Sequence, residues 1–513
     1  MAASMGQVVF YVALIFGIFF SFSAFKYYSS VLLVIFGSRS SKAYAKNDKG
    51  NEDDRRERIL NYFSRNHLNS NNREGNANGK RNGGEAPFIS IHLPFYNEKN
   101  VAKRIIQACM NITYPNFEIV VIDDSNDETI EILKKHGHEK WPHVLKIVHR
   151  KDRLGFKGGA LNEALQIMNP DSDYIIVFDA DFIPPASIID QFLLYFNEQA
   201  TEGDSKQESL LDISNGNSFI KIDNEINSIK DERISGNNIA VVQGYQLHYL
   251  NKRENWITRG VRAEFSGSYM IERVAEEFTG AMKMISGSVF MIRADIARKM
   301  GWSTSITEDW ELTLRIYLSG YKVLYTPLIQ APAEIPTTIR RLIRQRMRWA
   351  EGHTHCVRKQ FWSVLRSSSI SFREKIEFLY FAPYYLQSLF LLVGTACWAL
   401  SVIFLYNPQF WSVLLGWSLI LFNFFALPLM ALSGLYLEKS ALEDFKGVLS
   451  LMILGYLMAP FQAYAAMKGL IEKKEGTWIR TLKTGRITDK ILQIKLRRLM
   501  RWVLPRRSVS KKT

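Results

Sequence analysis

The sequence predicts an α/β domain with a largely parallel sheet, held between membrane helices at its two ends. Three observations carry this reading: apolar residues pile up at both ends of the chain, short β-branched runs alternate with helical periodicity between them, and acidic motifs recur where those runs stop. In an open parallel sheet, ligands bind beyond the carboxyl ends of the strands, so the polar motifs at those ends are where chemistry is expected. The chain of 513 residues is long enough for more than one unit, and its net charge is +15. Much of that excess lies beside apolar blocks, notably from Lys468 to Thr513, so a membrane surface accounts for it without nucleic acid. Three scattered cysteines, Cys109, Cys356 and Cys397, make neither a disulfide framework nor a zinc site, and fit buried small apolar residues.

Val8 to Phe36 is apolar apart from Lys26 and exceeds the roughly 20 residues that cross a bilayer core. No basic stretch precedes it, which argues against a cleaved signal, and Arg39, Lys42 and Lys46 follow it, placing the next segment in the cytoplasm. Residues 1–39 are thus expected as a membrane helix and 40–86, polar and rich in Asn and Gly, as a flexible linker. The α/β domain spans 87–338. Ile89 to Leu93, Ile119 to Ile122, Leu145 to Val148 and Tyr174 to Phe178 read as strands, with helices at Val101 to Ile112 and Ala160 to Met168. An acidic, Asn-rich insertion covers 197–238. Residues 339–376 read as basic amphipathic helices at the membrane interface, and 377–471 as transmembrane or interfacial helices. Within the latter, Phe378 to Leu437 carries no charge and has a turn signal at Asn407-Pro408, which fits two spans. The third apolar block, Val448 to Met467, is expected to lie in the interface, to re-enter, or to join a four-span arrangement. It precedes a basic tail, 472–513, that belongs in the cytoplasm.

The first strand runs into Tyr96-Asn97-Glu98 and the second into Asp123-Asp124-Ser125, acceptors and a ring suited to a nucleoside, although the same residue types cap helices. The strand ending at Phe178 delivers Asp179-Ala180-Asp181, two hard oxygen ligands suited to Mg²⁺ or Mn²⁺ beside a diphosphate, or alternatively a turn. Leu154-Gly155-Phe156-Lys157-Gly158-Gly159 leads into a helix, so its glycines permit close backbone approach and Lys157 supplies charge for phosphate. Thr307-Glu308-Asp309 opens another helix and is a second acidic site, either a catalytic base or first-turn acids behind a capping Thr. Gln345-Arg346-Met347-Arg348-Trp349 adds an indole platform for a sugar ring and guanidinium donors for phosphate. His353 and His355, two apart on a helix, point to different faces and make no metal site.

In this order the motifs resemble the family 2 glycosyltransferases related to cellulose, chitin and hyaluronan synthases, from about Pro87 to Gly485. Val242-Gln243, Asn251-Lys252-Arg253-Glu254-Asn255 and Ile285-Ser286-Gly287-Ser288 resemble the plant mannan synthase branch, within a cellulose synthase-like superfamily. Trp478-Ile479-Arg480-Thr481-Leu482-Lys483 resembles the gating loop of cellulose synthases, with Arg480 where an apolar residue is usual. The resemblance implies a GT-A type catalytic domain on the cytoplasmic side of the plasma membrane, and an inverting transfer from a UDP- or GDP-linked sugar to a saccharide or lipid acceptor. It places Tyr96, Glu98, Asp123, Asp124, Lys157, Asp179, Arg348, Thr481 and Lys483 on the nucleotide sugar, Asp179 and Asp181 on the divalent cation, and Asp309 as the general base. Glu308, Gly287, Gln345 and Trp349 fall to the acceptor. A polymerising synthase leads this reading, ahead of a single-transfer glycolipid enzyme and, more remotely, a non-enzymatic basic membrane scaffold. These readings differ in product size and in whether the acids matter.

Overall fold

The computed structural model describes residues 2–36, 86–137, 144–205, 238–404, 408–476 and 480–489. The linker to residue 85, the basic residues Arg39, Lys42 and Lys46, the insertion from residue 206, Trp478, Ile479 and the tail beyond residue 489 lie outside them.

After helix α1 (Ala2–Phe36) the chain builds β1 (Ile89–Phe95), α2 (Ala102–Met110), β2 (Phe117–Asp123), α3 (Thr129–Gly137), β3 (Leu145–His149), α4 (Phe156–Ile167), β4 (Tyr174–Val177) and α5 (Ile188–Ser205). The start of the polar insertion, Asn197 to Ser205, continues helix α5. Then come β5 (Ile239–His248), α6 (Trp256–Gly267), a π-helical turn (Ser268–Glu272), α7 (Arg273–Thr279), β6 (Phe290–Arg293), α8 (Ala294–Met300), α9 (Glu308–Leu318) and β7 (Lys322–Ala333). The seven strands form one sheet in the order β3-β2-β1-β4-β6-β5-β7. Every pairing is parallel except those of β6, which runs against both β4 and β5.

Alternation along the strands makes two cores. Ile119 and Val121 face one side with Ile105, Leu133 and Phe192, while Val120 and Ile122 face the other with Leu161, Ile296 and Leu312. A side chain of this size buried fully contributes about 1.5–3 kcal/mol, so register is strongly fixed. Because β1, β2, β4, β5 and β7 point the same way, their carboxyl ends share one edge of the sheet, and antiparallel β6 brings its entry loop, Ser286 to Val289, to that same edge.

The chain continues with α10 (Ile339–Arg366), α11 (Phe372–Phe381), α12 (Leu386–Ile403), α13 (Phe410–Leu437) and α14 (Ala441–Ile471). Among the described residues four helices, α1, α12, α13 and α14, are long and apolar enough to cross a membrane. Helix α14 differs from the others. Its apolar stretch is 44% buried in protein, against 6–11% for the other three. Its first turn is tied to the α/β domain by Lys252–Asp444 (2.6 Å), and its last turn to α10 by Arg358 donating to the Leu470 carbonyl (2.6 Å). In between it packs on α6, where Gly260 and Gly447 allow close approach. Lys26, the one charge in α1, pairs with Glu272 (3.1 Å), Glu276 (3.4 Å) and Glu377, which satisfies an ammonium group otherwise costly in an apolar helix.

Candidate active site

At the shared strand edge a cavity of about 310 Å³ opens between the sheet, the turn at Ser268–Glu272, helix α10 and residues 480–483. One wall begins at β1 and β2. Asn97 donates its N–H to Ser125 Oγ (2.7 Å) and accepts from Asn126 N–H through Oδ1 (2.9 Å), so the two strand exits are laced together. Tyr96 lies under the Arg153 guanidinium, 3.4 Å from ring centre to carbon. Asp124 takes a bidentate bond from Arg150 (2.6 and 2.5 Å), and burial still pushes its carboxyl above the ordinary aspartate value.

From β4 the backbone delivers Asp179, fixed by its N–H donating to Ser288 Oγ (3.0 Å), then Asp181. Lys157, on the first turn of α4, reaches Asp179 (2.7 Å), Glu308 (3.1 Å) and the Gly287 carbonyl (2.7 Å). Lys483 pairs with Asp181 (2.6 Å). Burial would raise Asp181, but Lys483, with His248 and Arg104, holds it below the ordinary value. The loop before β6 is pinned by Gln243, which accepts Ser286 N–H (2.8 Å), and by Gln246, which donates to the Ser288 carbonyl (3.0 Å).

Gly287 in that loop has φ +72°, and a Cβ there would lie 2.9 Å from Asp309 Oδ2 and 3.3 Å from Lys157 Nζ. Glycine is therefore required both by backbone conformation and by the approach of the two charged groups. Asp309, in the first turn of α9, accepts Trp310 N–H (2.8 Å). Loss of water and repulsion from Glu308 push its carboxyl up to about 7, against the pull of Lys157, the Trp310 N–H and Arg348. Arg348 donates to the Ile306 carbonyl (3.2 Å), just before the Thr307-Glu308-Asp309 motif, and the Arg346 guanidinium sits over the Trp349 ring at 4.7 Å.

Tyr96, Glu98, Asp124, Lys157, Asp179, Asp181, Gly287, Glu308, Asp309, Gln345, Arg348, Trp349, Thr481 and Lys483 all line this one cavity. Asp123 stands behind it, 1% exposed, bonded to His149 (2.9 Å) and to Ser125 N–H (3.2 Å), where it orders the β2 exit. The glycines of 155–159 do not open the loop to a ligand. A Cβ on Gly158 would meet the Ser303 carbonyl at 2.0 Å, so that glycine lets α4 pack against the loop that leads to Asp309. His353 stacks on Trp310 (5.0 Å) and its ring bonds the Phe381 carbonyl (2.8 Å), a core contact rather than a ligand. Reading the sequence missed Arg150, Arg153 and Gln246. Arg150 and Arg153 sit in a polar run after β3 and gain meaning only because β3 lies beside β2.

Two family models match the chain: "Glycosyl transferase family 2" over residues 90–203 and "Glycosyl transferase family group 2" over residues 224–462. Among curated proteins it is 27% identical over 312 residues to the probable glucomannan 4-beta-mannosyltransferase 7 of Oryza sativa subsp. japonica, covering 59% of this chain and 47% of the relative. It is 25% identical over 302 residues to glucomannan 4-beta-mannosyltransferase 2 of Arabidopsis thaliana, covering 57% and 49%. The matched part is thus about half the length of those relatives. Among solved structures, the mannosyltransferase PcManGT from Pyrobaculum calidifontis in complex with GDP-Man and Mn²⁺ aligns with TM-score 0.49 and 16% identity over 90% of this chain and 100% of that one. With both models falling on the sheet and on the helices that frame the cavity, the chain belongs to glycosyltransferase family 2.

Proposed function

We propose that this chain transfers a sugar from a UDP- or GDP-linked donor to a saccharide acceptor with inversion, extending a β-linked polysaccharide at the membrane. One observation carries the reading. Asp309, a carboxyl poised near neutrality, and Lys157, a cation on the donor side, approach the same glycine. A general base for an acceptor hydroxyl thereby lies within reach of the groups that hold a leaving diphosphate. The nucleoside would rest against Tyr96, Glu98, Asp124 and Arg153, the diphosphate against Lys157, Arg348 and Lys483, and the acceptor sugar against Trp349 and Gln345. Thr481 supports a ligand here as well, since its buried hydroxyl has no hydrogen-bond partner among the described residues.

The donor set fits a divalent cation such as Mn²⁺ or Mg²⁺. Asp179 and Asp181 are hard carboxylates, and each is now met by an ammonium group, Lys157 and Lys483 respectively. No three His, Cys, Asp or Glu side chains gather as a metal group among the described residues. Two carboxylates suffice for such a cation when diphosphate oxygens and water complete its shell. The cation would supply charge neutralisation for the leaving diphosphate.

For topology, α1, α12 and α13 cross the bilayer while α14, packed against α6 and α10, lies at the interface. That arrangement keeps the catalytic domain and the tail on the cytoplasmic side, in a multi-pass protein of the plasma membrane.

The test is a screen of UDP- and GDP-sugars with the purified full chain and Mn²⁺, measuring nucleoside diphosphate release and product length. Consumption of one donor class with products that lengthen over time is expected. Products fixed at one added sugar on lipid would favour the single-transfer enzyme, and folded protein that consumes no donor would overturn the reading.

A further inference from the structure

Residues 480–485 lie across the donor side of the cavity although they come from the far end of the chain. Arg480 donates to the Tyr96 carbonyl (3.1 Å), and Lys483 bonds both Asp181 (2.6 Å) and the Glu334 carbonyl (2.8 Å). The segment is gripped from behind by one carboxylate. Glu334 follows the last residue of β7, and its side chain is 1% exposed. Its Oε1 accepts both the N–H and the hydroxyl of Thr484, the latter at 2.8 Å, and its Oε2 accepts Gly485 N–H at 3.0 Å. Arg104 stands 3.6 Å from Oε2 and balances the buried charge. The main chain of Glu334 faces the other way, and its N–H donates to Asp181 Oδ2 (3.2 Å). One residue therefore holds the segment through its side chain and Asp181 through its backbone, without itself lining the cavity.

We propose that Glu334 is a positioning residue that latches residues 480–485 over the donor and so governs nucleotide retention rather than the proton transfer at Asp309. This rests on the cavity being the nucleotide-sugar site. Lys483 pairs with Asp181 here, and an arriving diphosphate offers it a second anion. With Thr484 and Gly485 anchored, Lys483 and the unpartnered Thr481 hydroxyl stay within reach of that anion. Glutamine in place of Glu334 accepts through a single oxygen and presents an N–H₂ group to other donors, leaving buried N–H groups unpaired and freeing the segment.

The experiment titrates GDP and UDP, each with Mn²⁺, into the purified full chain and into Glu334→Gln and Glu334→Asp, then compares donor KM and kcat. Glu334→Gln is expected to weaken nucleotide binding and raise donor KM by about 10- to 100-fold with kcat at saturating donor within about 3-fold. Glu334→Asp, which keeps the charge, recovers part of the loss. A Leu482→Cys reporter should react faster with a maleimide in the glutamine background, a change that mere loss of fold stability in correctly folded molecules would not produce. Should the glutamine variant fail to fold, Thr484→Ala deletes one bond of the same latch from the other side. A raised donor KM there supports the latch, and an unchanged one overturns it. Wild-type nucleotide affinity and labelling rate in folded Glu334→Gln would remove the latch and leave the donor site standing. A wild-type chain that binds neither nucleotide would remove the donor site, and the latch with it.

Discussion

Asp309 sits among opposing influences, lost water and Glu308 against Lys157, the Trp310 N–H and Arg348, and the first two prevail to bring its carboxyl to about 7. A base must be ionised to accept the acceptor proton, so kcat at saturating donor should rise with pH through about 7 and level off above it. A pH profile flat between about 5.5 and 8.5 would show that Asp309 does not limit transfer. The acid itself was legible, because Thr307-Glu308-Asp309 opens a helix at a strand-rich edge. Its link to the donor side was not, because Lys157 joins Asp179 to Glu308 only after two distant segments meet. Distances in sequence suggested two independent acidic sites, whereas one ammonium group couples them. Arg150 was illegible for a related reason: an arginine in a charged loop has no visible partner until Asp124 is placed beside it.

Among the elements, β1 to β4 follow from their β-branched runs, and their boundaries fall within a few residues of those read from the sequence. The antiparallel β6 does not, since four residues give too short a pattern to reveal direction. Helix α14 has a span's length and hydropathy, and its deeper burial, its ion pair with Lys252 and its close glycine contacts with α6 set it apart from α1, α12 and α13. At α4 the reading of the glycines changes from ligand approach to packing, which gives an element-level test. Alanine normally favours a helix over glycine by about 1 kcal/mol. At Gly158, however, its Cβ would sit 2.0 Å from the Ser303 carbonyl, and the backbone of the loop before Asp309 would have to move. Gly158→Ala should therefore destabilise by about 1–3 kcal/mol, seen as a lower Tm in detergent, and should slow transfer. A raised Tm would contradict this packing role.

For the whole molecule, two arrangements depend on each other. If α14 lies along the cytoplasmic face, the residues after it return to the cavity, as Lys483 does at Asp181, and the chain's end stays on that side. A cysteine placed near Thr513 should accordingly escape an impermeant reagent outside intact cells and react once the membrane is opened. Labelling from outside would put α14 across the bilayer. The proposed function divides the acids, giving Asp179 and Asp181 to donor and cation and Asp309 to the acceptor proton. That division is tested most directly by titrating nucleoside diphosphate and Mn²⁺ into Asp309→Asn and Asp179→Asn, then assaying transfer by both. The account predicts that Asp309→Asn binds the nucleotide nearly as the wild type does while transfer falls by about 10²- to 10⁴-fold, and that Asp179→Asn loses metal-dependent binding itself. Near-normal transfer by Asp309→Asn, or a binding loss equal to that of Asp179→Asn, would contradict it.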